Sequence, residues 1–327
     1  MKLNRGFLTV LCFFAAMAVF ARGGQDRAWP SHAIEIIVPS GAGGGQDTLA
    51  RVFQPMLERD LGVPLRITNL PGGSHVRGTI QAFSQPADGY TIYIGGPTIL
   101  IQQVFGRLPF VFTDEFVPIA RIQSEHALLW TSPTGRFRTI EDMIAYGRNN
   151  PGSITVTLAS PGGIDEASLA HFTFQTGVEL ALVPMDTGGE RLAATLGGHV
   201  DFIKEEVQQI GDMLHTRQLI PLIVLADERI DTPELRHVPS AGELGIMGMC
   251  DFSTYRFFAV RRGTPQEVID RMLVVLRNAY DNPEYRRYAA AHSLDLIPGW
   301  MGPEELARRW VRDIGLFTET FRRLGRL

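Results

Sequence analysis

Cysteine is nearly absent from this chain: Cys12 and Cys250 are the only two among 327 residues. If Cys12 is removed with a leader, Cys250 stands alone, no intramolecular disulfide is possible, and the fold must be held by its apolar cores. Lysine is as scarce, with only Lys2 and Lys204, so the positive charge is almost all arginine. The formal net charge of -4 gives no electrostatic reason to expect nucleic acid or an acidic membrane surface as a partner. The sequence contains no G-x-S-x-G elbow, no H-E-x-x-H, no C-x-x-C and no G-K-[ST] phosphate loop. His171 and His199 have no second ligand at metal spacing and read as surface or packing residues. No metal site and no cofactor is expected.

What is present begins with an export pattern. Lys2 and Arg5 form a short basic region, Phe7 to Phe20 is apolar, and Val19-Phe20-Ala21 loosely fits a small-residue cleavage site. The apolar run is short of the roughly 20 residues a membrane span needs. Residues 1–21 are therefore expected to be a signal peptide, with an uncleaved anchor as the alternative. Thr9-Val10-Leu11 offers no small residue before Cys12, which disfavours a lipid anchor. Beyond it, 45% hydrophobic and 20% charged residues describe an ordinary globular protein, long enough for two domains.

From Ser31 onward, strand and helix patterns alternate. Strands are predicted at 34–38, 65–69, 91–95, 117–122 and 127–131, with helices at 48–61 and 75–83 between them. A second series follows: a helix at 140–149, a strand at 154–158, a helix at 166–176, a strand at 180–184 and a helix running to Leu196. Strands at 200–203, 219–226 and 255–260 and helices at 265–280 and 303–324 complete the chain. This order implies two α/β units with largely parallel sheets and helices on both faces.

The segment Ile34 to Arg51, IEIIVPSGAGGGQDTLAR, carries most information. A buried strand passes through a glycine cluster into a helix whose first N–H groups have no intrahelical partner. Such a terminus attracts anions without any side chain. It departs from the dinucleotide fingerprint: Gln46 takes the final glycine position and the next strand ends at Asn69, not at an acid. An anion site or a turn that merely closes the connection remain as readings. Asn69-Leu70-Pro71-Gly72-Gly73-Ser74, Ser160-Pro161-Gly162-Gly163 and Thr187-Gly188-Gly189 repeat the strand–glycine–helix pattern. Each is weak alone, but loops at the carboxyl ends of strands share the edge where ligands bind. Asp47 either caps its helix or meets a ligand. Glu205-Glu206, closing a strand, is a solvated pair or a cleft feature.

In this order, S-G-A-G-G-G-Q-D, N-L-P-G-G-S, P-A-D-G-Y-T, N-N-P-G-S-I-T, V-P-M-D-T-G-G and L-G-G-H-V-D resemble the receptors of tripartite tricarboxylate transporters, the TctC or Bug type, from about Trp29 to the C-terminus. The resemblance implies a type II periplasmic-binding-protein fold: two doubly wound α/β lobes joined by two crossing strands, with a ligand cleft between them. Lobe 1 would comprise residues 31–127 and 254–327, and lobe 2 residues 128–253. It implies a monomeric, non-catalytic periplasmic receptor that delivers a small carboxylate to a membrane permease; presentation to a sensor kinase, or an exported enzyme on the same scaffold, are the alternatives.

The matching positions are Ser40, Gly41, Gly43, Gly44, Gly45, Gln46 and Asp47 in the first loop; Gly72, Gly73, Ser74 and His75 in the second; and Gly95, Gly96 and Pro97 after the third strand. Ser160, Gly162, Gly163 and Asp165 form the next loop, and Asp186, Thr187, Gly188 and Gly189 the last. Two departures stand out: Ser168 where many relatives place histidine, and Met185-Asp186 where many place Tyr-Lys. Asp165, Glu166 and Asp186 put negative charge near a cleft meant for an anion. Either they point away or the ligand also carries a cationic group such as an amine. Glu205 is a further cleft candidate. Arg256, on the return strand, either pairs with a distal carboxylate of the ligand or forms a structural ion pair at the crossing.

Overall fold

A computed structural model describes residues 29–185 and 187–327, and within 207–215 the side chains of residues 211, 212, 214 and 215 are not described. The expected signal peptide and Asp186 lie outside the described residues.

Two five-stranded sheets organise the chain. The first contains β1 (Ile34–Val38), β2 (Leu65–Asn69), β3 (Thr91–Gly95), β4 (Phe116–Glu125) and β10 (Thr254–Arg261). The second contains β5 (Ala127–Thr131), β6 (Ile154–Leu158), β7 (Leu180–Pro184), β8 (Phe202–Glu206) and β9 (Ile220–Val224). Their orders match position for position: β2-β1-β3-β10-β4 and β7-β6-β8-β5-β9. In each, the first three strands run parallel, the fourth (β10 or β5) runs antiparallel to both of its neighbours, and the fifth (β4 or β9) therefore runs in the direction of the first three. The helices between are α1 (Gly45–Leu61), α2 (Val76–Ser84), α3 (Pro97–Val104), α4 (Phe112–Glu115), α5 (Ile140–Asn149), α6 (Ile164–Thr176), α7 (Gly188–Leu196) and α8 (Val207–His215). The chain closes with α9 (Gln266–Asp281), α10 (Pro283–Ala291) and α11 (Pro303–Arg323).

The apolar run of β1 has the composition of a strand covered on both faces. Ile36 packs with Phe53, Met272 and Leu276 on one side, while its neighbour Ile37 packs with Tyr93, Phe257 and Trp310 on the other. The second sheet repeats this: Leu129 and Val156 face one core, Leu128 and Ile203 the other. Parallel strands need the helical crossovers that supply those covers. Gly62 ends α1 in the left-handed region (φ 73°), donating its N–H to Glu58 O at 2.9 Å.

Only His126 separates β4 in the first sheet from β5 in the second. The chain returns through a 3-10 turn at Met249–Phe252 and Ser253, after which Thr254 of β10 pairs with Glu125 of β4. The C-terminal helices fall on the first sheet, and α11 also reaches the second unit, where Phe317 meets Phe252 and Arg323 covers Phe174.

Two element assignments differ from the pattern. The strand predicted at 200–203 is β8, Phe202–Glu206. Asp201 lies outside it because its carboxylate accepts from Thr155 N–H and Oγ1, and the strand runs on through the buried polar triplet Lys204-Glu205-Glu206, which masks the apolar pattern. Helices α3, α4, α8 and α10 were not anticipated; α3 and α10 each open on a proline at the first helical position, where no N–H is required.

Candidate functional site

The first loop and the loop before α6 are built alike. Gly44 N–H donates to Gly41 O (3.2 Å), and Gly163 N–H to Ser160 O (3.0 Å). Gly43 N–H donates to the Asp47 carboxylate four residues on (2.8 Å), and Gly162 N–H to that of Glu166 (2.6 Å). The first helical bonds then run from Thr48 N–H to Gly44 O and from Ala167 N–H to Gly163 O. The amides between, at Gly45, Gln46 and Asp47 and at Ile164, Asp165 and Glu166, have no intrahelical acceptor. Each loop is therefore closed by an acid turned back on it, which leaves the helix start open.

These two starts and that of α3 border one cavity of about 210 Å³, lined by Ser40, Gly45 and Gln46 of the first loop, by His75, and by Gly96, Pro97 and Thr98 at α3. The opposite wall is Ala159, Ser160, Gly163, Ile164 and Asp165, with Arg191 from α7, Glu205 and Glu206 from the carboxyl end of β8, and Gln209. Thr254, Tyr255 and Arg256 of β10 form its base at the crossing. Close approach explains two glycines here. A Cβ on Gly45 would stand 2.1 Å from Arg256 Nη2, and one on Gly96 would lie 2.9 Å from Tyr255 O.

Several donors and acceptors in the cavity are idle. Gln46 (7% exposed) and Thr98 (8% exposed) have side chains without a hydrogen-bond partner among the described residues, and so do Ser40 Oγ and His75 Nδ1. Burial pushes the His75 imidazole down to about 4, so the ring is neutral at pH 7.

The charged groups are paired within the protein. Arg256 Nη1 bonds the Glu125 carboxylate and Gln123 Oε1, all three buried. Arg191 donates through Nε and Nη2 to one oxygen of Glu205. Lys204 Nζ reaches Asp165 at 2.6 Å, and Ala159 N–H adds a second bond to that carboxylate at 3.2 Å. Glu206 accepts from Thr254 Oγ1 (2.6 Å) and Gln209 Nε2 (2.8 Å). Burial raises Glu205 to about 7, reinforced by Glu206 and opposed by Arg191. Burial also raises Glu125 to about 7, against the pull of Arg256. For Asp165, burial raises the carboxyl, but Lys204 outweighs it and holds the group below the usual carboxylate range.

Of the positions singled out in the sequence, Ser40, Gly45, Gln46, His75, Gly96, Pro97, Ser160, Gly163, Asp165, Glu205 and Arg256 line the cavity. Gly41, Gly43, Gly44 and Asp47 support the first loop without lining it. Asp47 is neither a cap nor a wall residue: it is buried, and it binds Gly43 N–H and Arg51 Nε (2.9 Å). Glu166 likewise turns away, towards Gly162 and Arg326. Gly72 and Gly73 border a separate surface groove, and Ser74 lies beside them in sequence with a positive φ of 50°. Gly95 is enclosed by Phe257 and Tyr93, and Gly162 by Phe105 and Arg107. Ser168 is buried inside α6. Thr187, Gly188 and Gly189 open α7 with a capping box to Glu190, and only Arg191 one turn on reaches the wall. Glu206, read from the sequence as either a solvated acid or a cleft feature, also lines the cavity; Thr98, Ala159, Ile164, Arg191, Gln209, Thr254 and Tyr255 complete the lining without any signal in the sequence reading.

Among the described residues no helix is long and apolar enough to cross a membrane, and no group of three His, Cys, Asp or Glu side chains is placed to hold a metal ion. The chain is 26% identical to the protein BugT of Bordetella pertussis over 280 residues, covering 84% of this chain and 83% of that one. MatC from Rhodopseudomonas palustris, solved with bound malate, superposes with a TM-score of 0.76 at 21% identity, covering 89% of this chain and 99% of that one. Rpa4515 of R. palustris, solved with adipate, gives a TM-score of 0.75 at 24% identity over 91% and 98% of the two chains. These likenesses give the fold, that of periplasmic binding proteins of the TctC type. The sequence profile of the tripartite tricarboxylate transporter family receptors matches residues 49–307, and this chain belongs to that family.

Proposed function

We propose that the chain is an extracytoplasmic receptor that captures a small carboxylate in the cavity between its two sheets and delivers it to a tripartite tricarboxylate-type permease. The two lobes are residues 31–127 with 254–327, and residues 128–253. They turn about His126 and Ser253, and the protein works in the periplasm as a monomer.

The convergence of three helix starts on one cavity carries this reading. A carboxylate placed there meets the bare amides of α1 and α6, the idle side chains of Gln46 and Thr98, and the free edge of Arg256. Each partly buried helix start contributes up to about 2 kcal/mol towards an anion. A micromolar complex needs about 8 kcal/mol, so hydrogen bonds to the charged oxygens, each about 1.5–3 kcal/mol, must provide the balance. Because α1 and α6 stand on opposite walls, one ligand touching both favours the closed arrangement by its differential affinity.

The test is a thermal-shift and calorimetric screen of mono-, di- and tricarboxylates with and without amine groups. A ligand at about 100 times its Kd should add roughly 2.7 kcal/mol of stability. Gln46→Ala and Thr98→Val should each weaken that ligand while leaving the apo protein folded. A ligand whose affinity ignores both substitutions would place binding elsewhere and end the proposal.

A further inference from the structure

The wall opposite α1 is acidic. Asp165, Glu205 and Glu206 line the cavity, and Glu125 lies behind it against Arg256. Arg191, Lys204 and Arg256 are the cations that meet them, so this cluster holds one more acid than base among the described residues. A dicarboxylate would bring two more negative charges into about 210 Å³ beside these acids, where like charges oppose binding.

The pairing leaves one oxygen unused. Both Arg191 donors converge on a single oxygen of Glu205, and the second has no hydrogen-bond partner although the residue is only 4% exposed. Both oxygens of Glu206, by contrast, are occupied by Thr254 and Gln209. The idle side chains on the other wall, Gln46 and Thr98, are a separate sign that the cavity is shaped for an occupant. The free oxygen of Glu205 therefore opens onto the cavity, where a donor on the ligand can reach it.

We propose that Glu205, with Glu206 beside it, forms a subsite for an ammonium group, so that the ligand is an amino carboxylate rather than a plain di- or tricarboxylate. This deepens the receptor reading and rests on it. The ligand's carboxylate lies at the α1 start, and its ammonium donates to the free oxygen of Glu205. An amino monocarboxylate then adds no net charge to the site, and an amino dicarboxylate adds one negative charge.

The groups facing Glu205 are Arg191 on α7, Asp165 on α6, and Glu206 and Lys204 on its own strand. An ammonium arriving among them draws the Glu205 proton off, so binding near pH 7 releases protons. An amine-free dicarboxylate has the opposite effect, because it adds negative charge and draws a proton on.

Calorimetry on the full-length mature protein decides between these, using matched pairs: aspartate against succinate, glutamate against glutarate, and γ-aminobutyrate against butyrate. Titrations in buffers of different ionisation enthalpy read the proton balance. The expected result is at least one pair whose amino member binds ten-fold or more tightly, with proton release, and whose advantage disappears in Glu205→Gln. Should Glu205→Gln fail to fold, wild-type proton release supplies the same information. If the deaminated member binds equally or better, the ammonium subsite is wrong and the carboxylate receptor stands. If no member of any pair binds while an amine-free carboxylate of the wider screen does, the ammonium subsite is wrong and the receptor stands; if nothing in that screen binds, the receptor reading falls and takes the subsite with it.

Discussion

Gly45→Ala is the smallest change that tests whether the first loop and Arg256 are built against each other. The added Cβ would lie 2.1 Å from Arg256 Nη2, 2.6 Å from Cζ and 2.7 Å from Nε. That is about 1.3 Å short of the 3.4 Å at which ordinary contact begins. The guanidinium has to retreat, yet it is 4% exposed and fixed by Glu125 and Gln123. Losing one hydrogen bond to a charged group costs about 1.5–3 kcal/mol, and leaving the buried Glu125 charge unpaired costs about 3–5 kcal/mol. Urea unfolding should therefore show a loss of about 2–4 kcal/mol. Gly41→Ala is the control in the same loop: nothing lies within 4 Å of its Cβ, and the expected change is within about 0.5 kcal/mol. Equal stability of the two variants would refute the close packing of Arg256 on Gly45.

Lys204→Met should destabilise by about 3–5 kcal/mol, because it strands Asp165 beside Glu205 and Glu206; adding Asp165→Asn should recover most of the loss in the same urea assay. Glu205 is raised from 4.5 to about 7, so its contribution to apo stability is full below pH 4.5 and is lost as pH rises through about 7. Over that window the loss amounts to at most about 3 kcal/mol, and stability against pH should be visibly flatter in Glu205→Gln. Asp165 and Asp201 have the reverse sign: both are depressed, so their stabilisation is present above pH 3.8 and disappears as pH falls below it. Arg326→Ala removes a link from the chain's end to Glu166, but Arg326 is 40% exposed, so the expected change in unfolding free energy is below about 1 kcal/mol.

Much of the fold is written in local patterns. The step from Ile34–Val38 through glycines into an amphipathic helix needs no tertiary information, and the same grammar identified the start of α6. Glycine, however, reports where the backbone must turn and not which way the turn faces. That is why Gly72 and Gly73 border a different groove, and why Gly188 and Gly189 open a helix whose contribution is Arg191 one turn further on. The capping pair Thr187 and Glu190 was legible and fixes where α7 begins, which is the signal that would have pointed to Arg191. Lys204-Glu205-Glu206 was hard to read because charged residues seldom complete a buried strand. Apart from Gln209, three residues on, their burial depends on Asp165, Arg191 and Thr254, contributed from α6, α7 and β10. No local window contains those partners.

The same pairing constrains how the two sheets can move. Arg256 belongs to β10 and Glu125 to β4, and the strands are held by a ladder from Thr254–Glu125 to Arg261–Phe116. Sliding one strand against the other would separate a buried ion pair, so the two crossing strands must travel as one rigid piece. On the proposed closure, rotation would fall to the residues just outside the ladder, His126 on the outward crossing and Ser253 on the return, with Arg256 kept at the base of the cavity. Hydrogen exchange measures this directly. Amides of Thr254 to Phe257 should be among the slowest in the protein, near the global unfolding free energy, and those at His126 and Ser253 should open more readily. Ligand should protect the starts of α1 and α6 without further slowing β10. Fast exchange within β10 that only ligand suppresses would mean that the crossing itself melts and reforms, and the rigid pair would have no part in closure.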